Sequence, residues 1–162
     1  MMRYILIWTL GLCAALLVSC SGDTCYSESR EVSPDGWSMD SVLRFPVMFT
    51  PEILDETDDF RVNIMVRNDD GYAWQNLWLF IDRMGADSVA ARDTVEIFLS
   101  DNSGRWIGSG VGSLHTLSEV YIDTLHVGRP GEYMFEVRHG MRMENLDGIC
   151  NIGLSVEKIA HQ

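Results

Sequence analysis

Basic charge is scarce in this chain and lysine almost missing. Lys158 is the one lysine in 162 residues, and 12 basic side chains stand against 24 acidic ones, for a formal charge of −12. Contact with a phosphate backbone needs clustered Lys and Arg, so a nucleic-acid partner is excluded. An acidic surface also repels anionic lipid, and serves to keep a secreted domain in solution. Beyond residue 20 no apolar run reaches membrane-spanning length, and no ten residues keep a helical stripe; residues 140–146 offer one turn at most. A glycine-rich phosphate loop ahead of a helix is missing, as are the His-x-Glu and paired-cysteine spacings that hold zinc. Gly108-Ser109-Gly110 falls short of Gly-x-Ser-x-Gly, so Ser109 has no nucleophile elbow to stand on. With no catalytic pair, cofactor or metal to assign, the chain reads as non-enzymatic.

The one long apolar run stands at the N-terminus. Arg3 precedes an apolar stretch over residues 5–18, too short to span a bilayer comfortably, which ends in Leu17-Val18-Ser19-Cys20. Leu at −3, small residues at −2 and −1, and then cysteine make a bacterial lipoprotein signal. Cys20 is therefore the expected lipid attachment, holding the mature chain to a membrane through acyl chains. The expected organisation is a signal peptide over residues 1–19, a flexible polar tether over 20–35, a folded domain over 36–159 and a short tail over 160–162. Cleavage removes 19 of the 162 residues, Arg3 among them, leaving 143 residues at −13. That is enough for one domain with a real core. Cys25 and Cys150 then remain. In an oxidising compartment they either pair, closing a long loop worth about 4 kcal/mol, or stand as separate thiols.

Past Trp37 the texture changes to short alternating segments separated by Gly, Asn, Asp and Pro. Residues 43–49 alternate as a strand whose Pro46 donates no hydrogen bond, which places it at a sheet edge or turned outward. Residues 60–66 form the cleanest period-two run, with Phe60, Val62, Ile64 and Val66 inward. Residues 74–81 are apolar on both parities, as in a strand buried on both faces or one showing aromatics to a partner. Further strands are expected over 95–99, over 120–127 with a bulge near Thr124, over 133–137 and over 150–156. Seven or eight short strands with turns between them predict an all-β, antiparallel β-sandwich of jelly-roll or immunoglobulin type.

The acidic loops around Asp55, Glu56, Asp58 and Asp59, and at Asp101-Asn102-Ser103, lack calcium-loop spacing and read as solvated turns. His139 shares parity with Tyr133 and Val137 and reads as a strand-end histidine. Tryptophan is the richer signal. Two of Trp37, Trp74, Trp78 and Trp106 are expected to fill the core; the others can stack a sugar or anchor a protein. Gly104, Gly108, Gly110 and Gly112 flank Trp106 too densely for a strand that only fills a core. An irregular segment is expected there, with Trp74, Trp78, Trp106 and this glycine run as the candidate interaction surface; the alternative is a structural glycine run that lets Trp106 cover the end of the sandwich.

Asn76-Leu77-Trp78-Leu79-Phe80, Asp93-Thr94-Val95 and Gly104-Arg105-Trp106-Ile107-Gly108-Ser109-Gly110-Val111-Gly112 carry a resemblance across nearly the whole mature chain. So do Gly131-x-Tyr133-x-Phe135, Met141-Arg142, Leu146-x-Gly148-Ile149 and Ile152-Gly153-Leu154-x-Val156-Glu157-Lys158. In order, and behind a lipobox, they resemble the GldH-type gliding-motility lipoproteins of Bacteroidetes. The resemblance implies a lipoprotein required for gliding and linked to the trans-envelope machinery that drives type IX secretion. It assigns no catalytic residues, and members occur in non-gliding relatives. It also implies an outer-membrane anchor. Surface-exported lipoproteins of the phylum tend to carry an acidic run after the cysteine, whereas only Asp23 is acidic in Ser21-Gly22-Asp23-Thr24, which favours the periplasmic face. The expected partners are envelope motility and secretion proteins; the alternative is a carbohydrate-binding surface lipoprotein using its tryptophans.

Overall fold

A computed structural model describes residues 23–85 and 90–159; the expected signal peptide, Cys20 and the tail lie outside the described residues. Ten strands and one helix follow in order: β1 Thr24–Glu31, β2 Trp37–Ser38, β3 Leu43–Phe49, α1 Pro51–Glu56, β4 Asp59–Asp69, β5 Asn76–Met84, β6 Ala90–Phe98, β7 Leu114–His126, β8 Gly131–His139, β9 Asn145–Leu146 and β10 Ile149–Lys158. The eight long strands make two four-stranded sheets, ordered β1-β10-β4-β7 and β3-β8-β5-β6, and β2 pairs with β9 in a small ribbon. All pairings are antiparallel. Apart from the β5–β6 hairpin, each long strand hands the chain to the opposite sheet. Of the two sandwich types expected, this is the jelly roll.

The register explains the core. Phe60, Val62, Ile64 and Val66 of β4 and Ile152, Leu154 and Val156 of β10 are buried on one sheet. Phe45, Val47 and Phe49 of β3, Leu77, Leu79 and Ile81 of β5, and Phe135 and Val137 of β8 face them from the other. The Phe49 and Phe60 rings meet between the sheets at 4.7 Å. The period-two runs at 43–49 and 60–66 thus take the parity expected of them, and Pro46 lies on β3, an edge strand. Trp37 is 1% exposed and donates its indole N–H to the Ser41 carbonyl at 3.2 Å, so it closes one end of the core.

Two expectations are corrected, and the choice left open for the cysteines is decided. Residues 24–31, placed in the tether, are strand β1, paired with β10 from Thr24↔Glu157 to Glu31↔Asn151. Its inward residues are Tyr26, Glu28 and Arg30, and Arg30 lies over the Phe45 ring at 5.7 Å while donating to the Arg44 carbonyl. An edge strand that covers the core rim with long polar side chains has no apolar alternation to announce it. Cys25 and Cys150 are free thiols. Cys25 lies opposite Val156–Glu157, six residues along β10 from Cys150, about 20 Å at strand rise and far beyond the roughly 7 Å limit for a bridge. The single described helix is α1 rather than a turn at 140–146: Thr50 accepts from the Ile53 amide as N-cap, and Pro51 opens the first turn.

Candidate functional site

The jelly-roll path gives the molecule two unlike ends. At one end lie the start of β1, α1, the beginning of β4, and the turn between β7 and β8, where the Lys158 amide donates to the Asp23 carbonyl. At the other end lie the loops 32–42, 70–75, 99–113 and 140–148, and with them Trp37, Trp74, Trp106, Met141 and Met143. The 11 residues of β4 put about 33 Å between these ends.

The outward face of β5 carries Asn76, Trp78, Phe80 and Asp82, the parity opposite to buried Leu77, Leu79 and Ile81. Trp78 is 36% exposed and Trp74, in the loop before β5 rather than on the strand, 46%. They line a groove of about 550 Å³ together with Asn76, Gly140, Met141, Arg142 and Met143. A second hollow of about 470 Å³ adjoins it through Gly140, Met141 and Arg142, and is walled by Met39, Phe80, Arg92, Arg138 and His139. Gly140 makes the floor. Its amide donates to the Trp78 carbonyl at 2.6 Å, and a Cβ there would meet Phe80 at 3.1 Å. Met141 turns its sulfur to the Trp78 amide at 3.4 Å. Phe80, Met39 and Met143 are exposed beside them, a contiguous apolar surface of the kind that marks a binding face. The outward face of the other sheet is polar in contrast, bearing Asn63, Thr116, Ser118, Ser155 and Ser27 around Met65.

Charge is arranged around the groove. Arg92 donates twice to Asp82, at 2.5 and 2.9 Å, and Arg138 bonds the same carboxylate. Hydrogen bonds from Arg92, with the charges of Arg92 and Arg138, hold Asp82 below its usual range. Arg142 makes no ion pair among the described residues. Behind the groove His139 is 3% exposed, edge-on to Trp37 at 5.4 Å, with neither ring nitrogen hydrogen-bonded. Burial lowers its pKa, against a smaller opposing effect of the Trp37 and Met141 backbone. Met141, Arg142 and Met143 were missed in the sequence as site residues; the apolar-basic alternation between two strands was the available signal.

Trp106 lies elsewhere at this end, half-buried against the core and stacked on His115 at 5.3 Å. The segment around it is irregular, pinned by isolated bridges Ser100↔Trp106 and Ser109↔Thr116. Its glycines have structural duties. A Cβ on Gly108 would stand 2.9 Å from the Thr116 backbone and one on Gly110 only 1.8 Å from the Leu114 carbonyl, while Gly104 and Gly112 take positive φ. Close approach to β7 accounts for Gly108 and Gly110 and positive φ for Gly104 and Gly112, while the exposed groove is lined by Trp74 and Trp78. Asp101 is turned to its own loop, accepting from the Ser103 hydroxyl and from the Ser103 and Arg105 amides, which depress its pKa. Asp58, Asp59 and His126 bring three ligand-type atoms within 4.8 Å at the opposite end, and His126 already bonds Asp59 at 3.1 Å.

Over residues 24–156 the chain matches the family model of the GldH lipoprotein. The chain belongs to the GldH lipoprotein family. It is 25% identical to a gliding motility lipoprotein GldH homolog of Christiangramia forsetii over 88% of this chain and 89% of that one. To gliding motility lipoprotein GldH of Flavobacterium johnsoniae it is 24% identical, over 91% and 92%. Among solved structures it is similar to tomato aspermy virus at a TM-score of 0.34 and 10% identity, covering 98% of this chain and 96% of that one. GldH lipoproteins are thus its relatives along nearly the whole length, and the resemblance read in its motifs is a family membership.

Proposed function

We propose that this GldH-family protein is a lipid-anchored, non-enzymatic component of an envelope gliding-motility and type IX secretion-associated assembly, acting by protein–protein contact through the Trp74–Trp78 groove. Acyl chains on Cys20 hold it, in the outer membrane with the periplasmic face favoured. The observation that carries this reading is where the groove lies. β1 opens at Thr24, four residues after Cys20, a reach of about 14 Å at most. The end bearing α1 therefore sits close to lipid, and the aromatic face is held a strand's length away, free to meet another protein. The names of the relatives supply the motility.

A carbohydrate-binding role is the second reading, because two tryptophans line a concave groove. Its lining weighs the other way. Sugar recognition needs polar groups around the stacked ring, whereas three methionines border these hollows and Asn76 is already engaged with Glu96 at 2.5 Å. The test is a full-length variant with Trp74→Ala and Trp78→Ala together. Loss of motility or envelope assembly, with acylation and melting temperature unchanged, is the expected result. A stable, acylated double variant with normal motility and assembly overturns the reading.

A further inference from the structure

The groove carries a second kind of information, in its charge and its backbone. In a chain of net −12, Arg142 stands on the groove wall with no ion pair among the described residues. Two further arginines, Arg92 and Arg138, share the single carboxylate of Asp82 in the adjoining hollow and leave one net positive charge there. With Glu96, which binds Asn76 at the groove's margin, counted in, the two adjoining hollows keep one net positive charge on an acidic molecule, set against Trp78, Met141 and Met143. A guanidinium beside an aromatic pocket matches a carboxylate held next to a bulky apolar side chain. The backbone adds a third feature. Arg142 and Met143 neither donate nor accept a backbone–backbone hydrogen bond among the described residues, which leaves main-chain groups of the loop that lines the groove open to a ligand. An extended peptide answers all three at once: side chains i and i+2 point the same way about 7 Å apart, and its own amides and carbonyls face the wall.

We infer that the groove receives an extended, acidic segment of a partner protein, with a Leu- or Phe-sized side chain between Trp74, Trp78 and Met143 and a neighbouring Asp or Glu on Arg142. This rests on the reading of the groove as a protein-binding face and names the chemistry of its occupant. The volume of about 550 Å³ suits one large side chain with the backbone on either side of it. A second copy of this chain is disfavoured by charge, since two molecules at −12 repel.

The test uses the full-length lipoprotein in neutral detergent and three synthetic probes: an extended peptide with a Leu-x-Asp core, the same peptide with Lys for Asp, and a neutral glucan hexasaccharide. Binding is read from tryptophan fluorescence and calorimetry. The Asp peptide is expected to bind, the Lys peptide and the glucan to bind at least about tenfold more weakly, the scale of one charge-assisted hydrogen bond. In Arg142→Glu the preference between the two peptides should reverse, while Trp78→Ala should weaken both. Equal binding of the two peptides, an unchanged preference in Arg142→Glu, or tighter binding of the glucan overturns the inference. In cells the two proposals separate. If the tryptophan double variant loses assembly while Arg142→Glu keeps it, the groove binds protein without reading acid, and this inference alone fails. If neither variant matters, the functional reading fails with it.

Discussion

Tyr121 of β7 donates its hydroxyl to Asp93 of β6 at 2.5 Å, a bond between the two sheets along the edge where no strand connects them. Arg83 of β5 reaches the same carboxylate oxygen at 2.9 Å, so the three residues form a polar seam where the apolar core runs out. Burial and the Asp93 carboxylate raise the Tyr121 pKa far above its usual value. The neutral phenol is the form the fold favours. Its contribution is complete below the unfolded pKa near 10 and is lost as pH rises beyond it. Tyr121→Phe should cost about 1 kcal/mol at neutral pH and flatten the loss of stability above pH ~10. Urea unfolding at pH 7 and pH 11 checks both; an unchanged alkaline slope would remove the seam from the account.

Strand parity in β4 is directly measurable. Ile64 is buried between the sheets and pairs with Leu154, whereas Met65 lies half-buried on the polar outer face against Gly153. Ile64→Ala should destabilise by about 2–5 kcal/mol and Met65→Ala by well under half of that. Equal shifts in the denaturation midpoint would mean that the two side chains share an environment.

How far the sequence announces this fold depends on what each strand buries. β3, β4 from Phe60 to Val66 and the Tyr133–Val137 part of β8 place apolar side chains inward at every second position, and period two makes them plain. β1 lays Tyr26, Glu28 and Arg30, all half-buried, over the rim and is invisible to hydrophobic alternation. The first half of β7 is hidden likewise, since His115, Thr116 and Ser118 read as loop until β4 pairs with them. In β10 a register shift between Ile149 and Asn151 moves the buried position from Cys150 to Ile149, a bulge that no composition signals. At the site, Trp74 and Trp78 were legible as candidates for an interaction surface, though not as the tryptophans that the core would leave outside. The loop that completes their groove had only the apolar-basic alternation Met141-Arg142-Met143 as a signal, which acquires its meaning once β8 ends beside β5.

His139 should make the fold acid-sensitive in a defined window. Its folded pKa is lowered by burial, so the neutral ring is favoured; the contribution is complete above the unfolded value near 6.5 and fades as pH falls below it. His139 is buried in the core, whereas His115 is half-buried and His126 exposed. Thermal unfolding from pH 7.5 to 5 should show a falling melting temperature that His139→Leu flattens, whatever that variant costs at pH 7.5. Parallel curves for the two proteins would assign the acid response elsewhere.

The cysteines separate anchoring from folding in one experiment. Cys25 is half-buried on β1 and donates its thiol to the Val156 carbonyl at 3.4 Å, and burial raises its pKa; Cys150 is raised by burial and by Asp69. With about 20 Å of strand between them they have no route to a bridge, and raised pKa values keep both as unreactive thiols in the folded state. Cys20 is the residue expected to carry lipid. Metabolic labelling with a fatty-acid probe should therefore mark the protein, and Cys20→Ala should lose the label and accumulate as uncleaved precursor. In the wild-type protein, alkylation in denaturant without reductant should modify Cys25 and Cys150 together and leave no oxidised fraction. Replacing Cys25 or Cys150 by Ser should leave acylation untouched. Label retained on Cys20→Ala would refute the anchor, and a Cys25–Cys150 linked peptide would refute the β1–β10 register from which their separation follows.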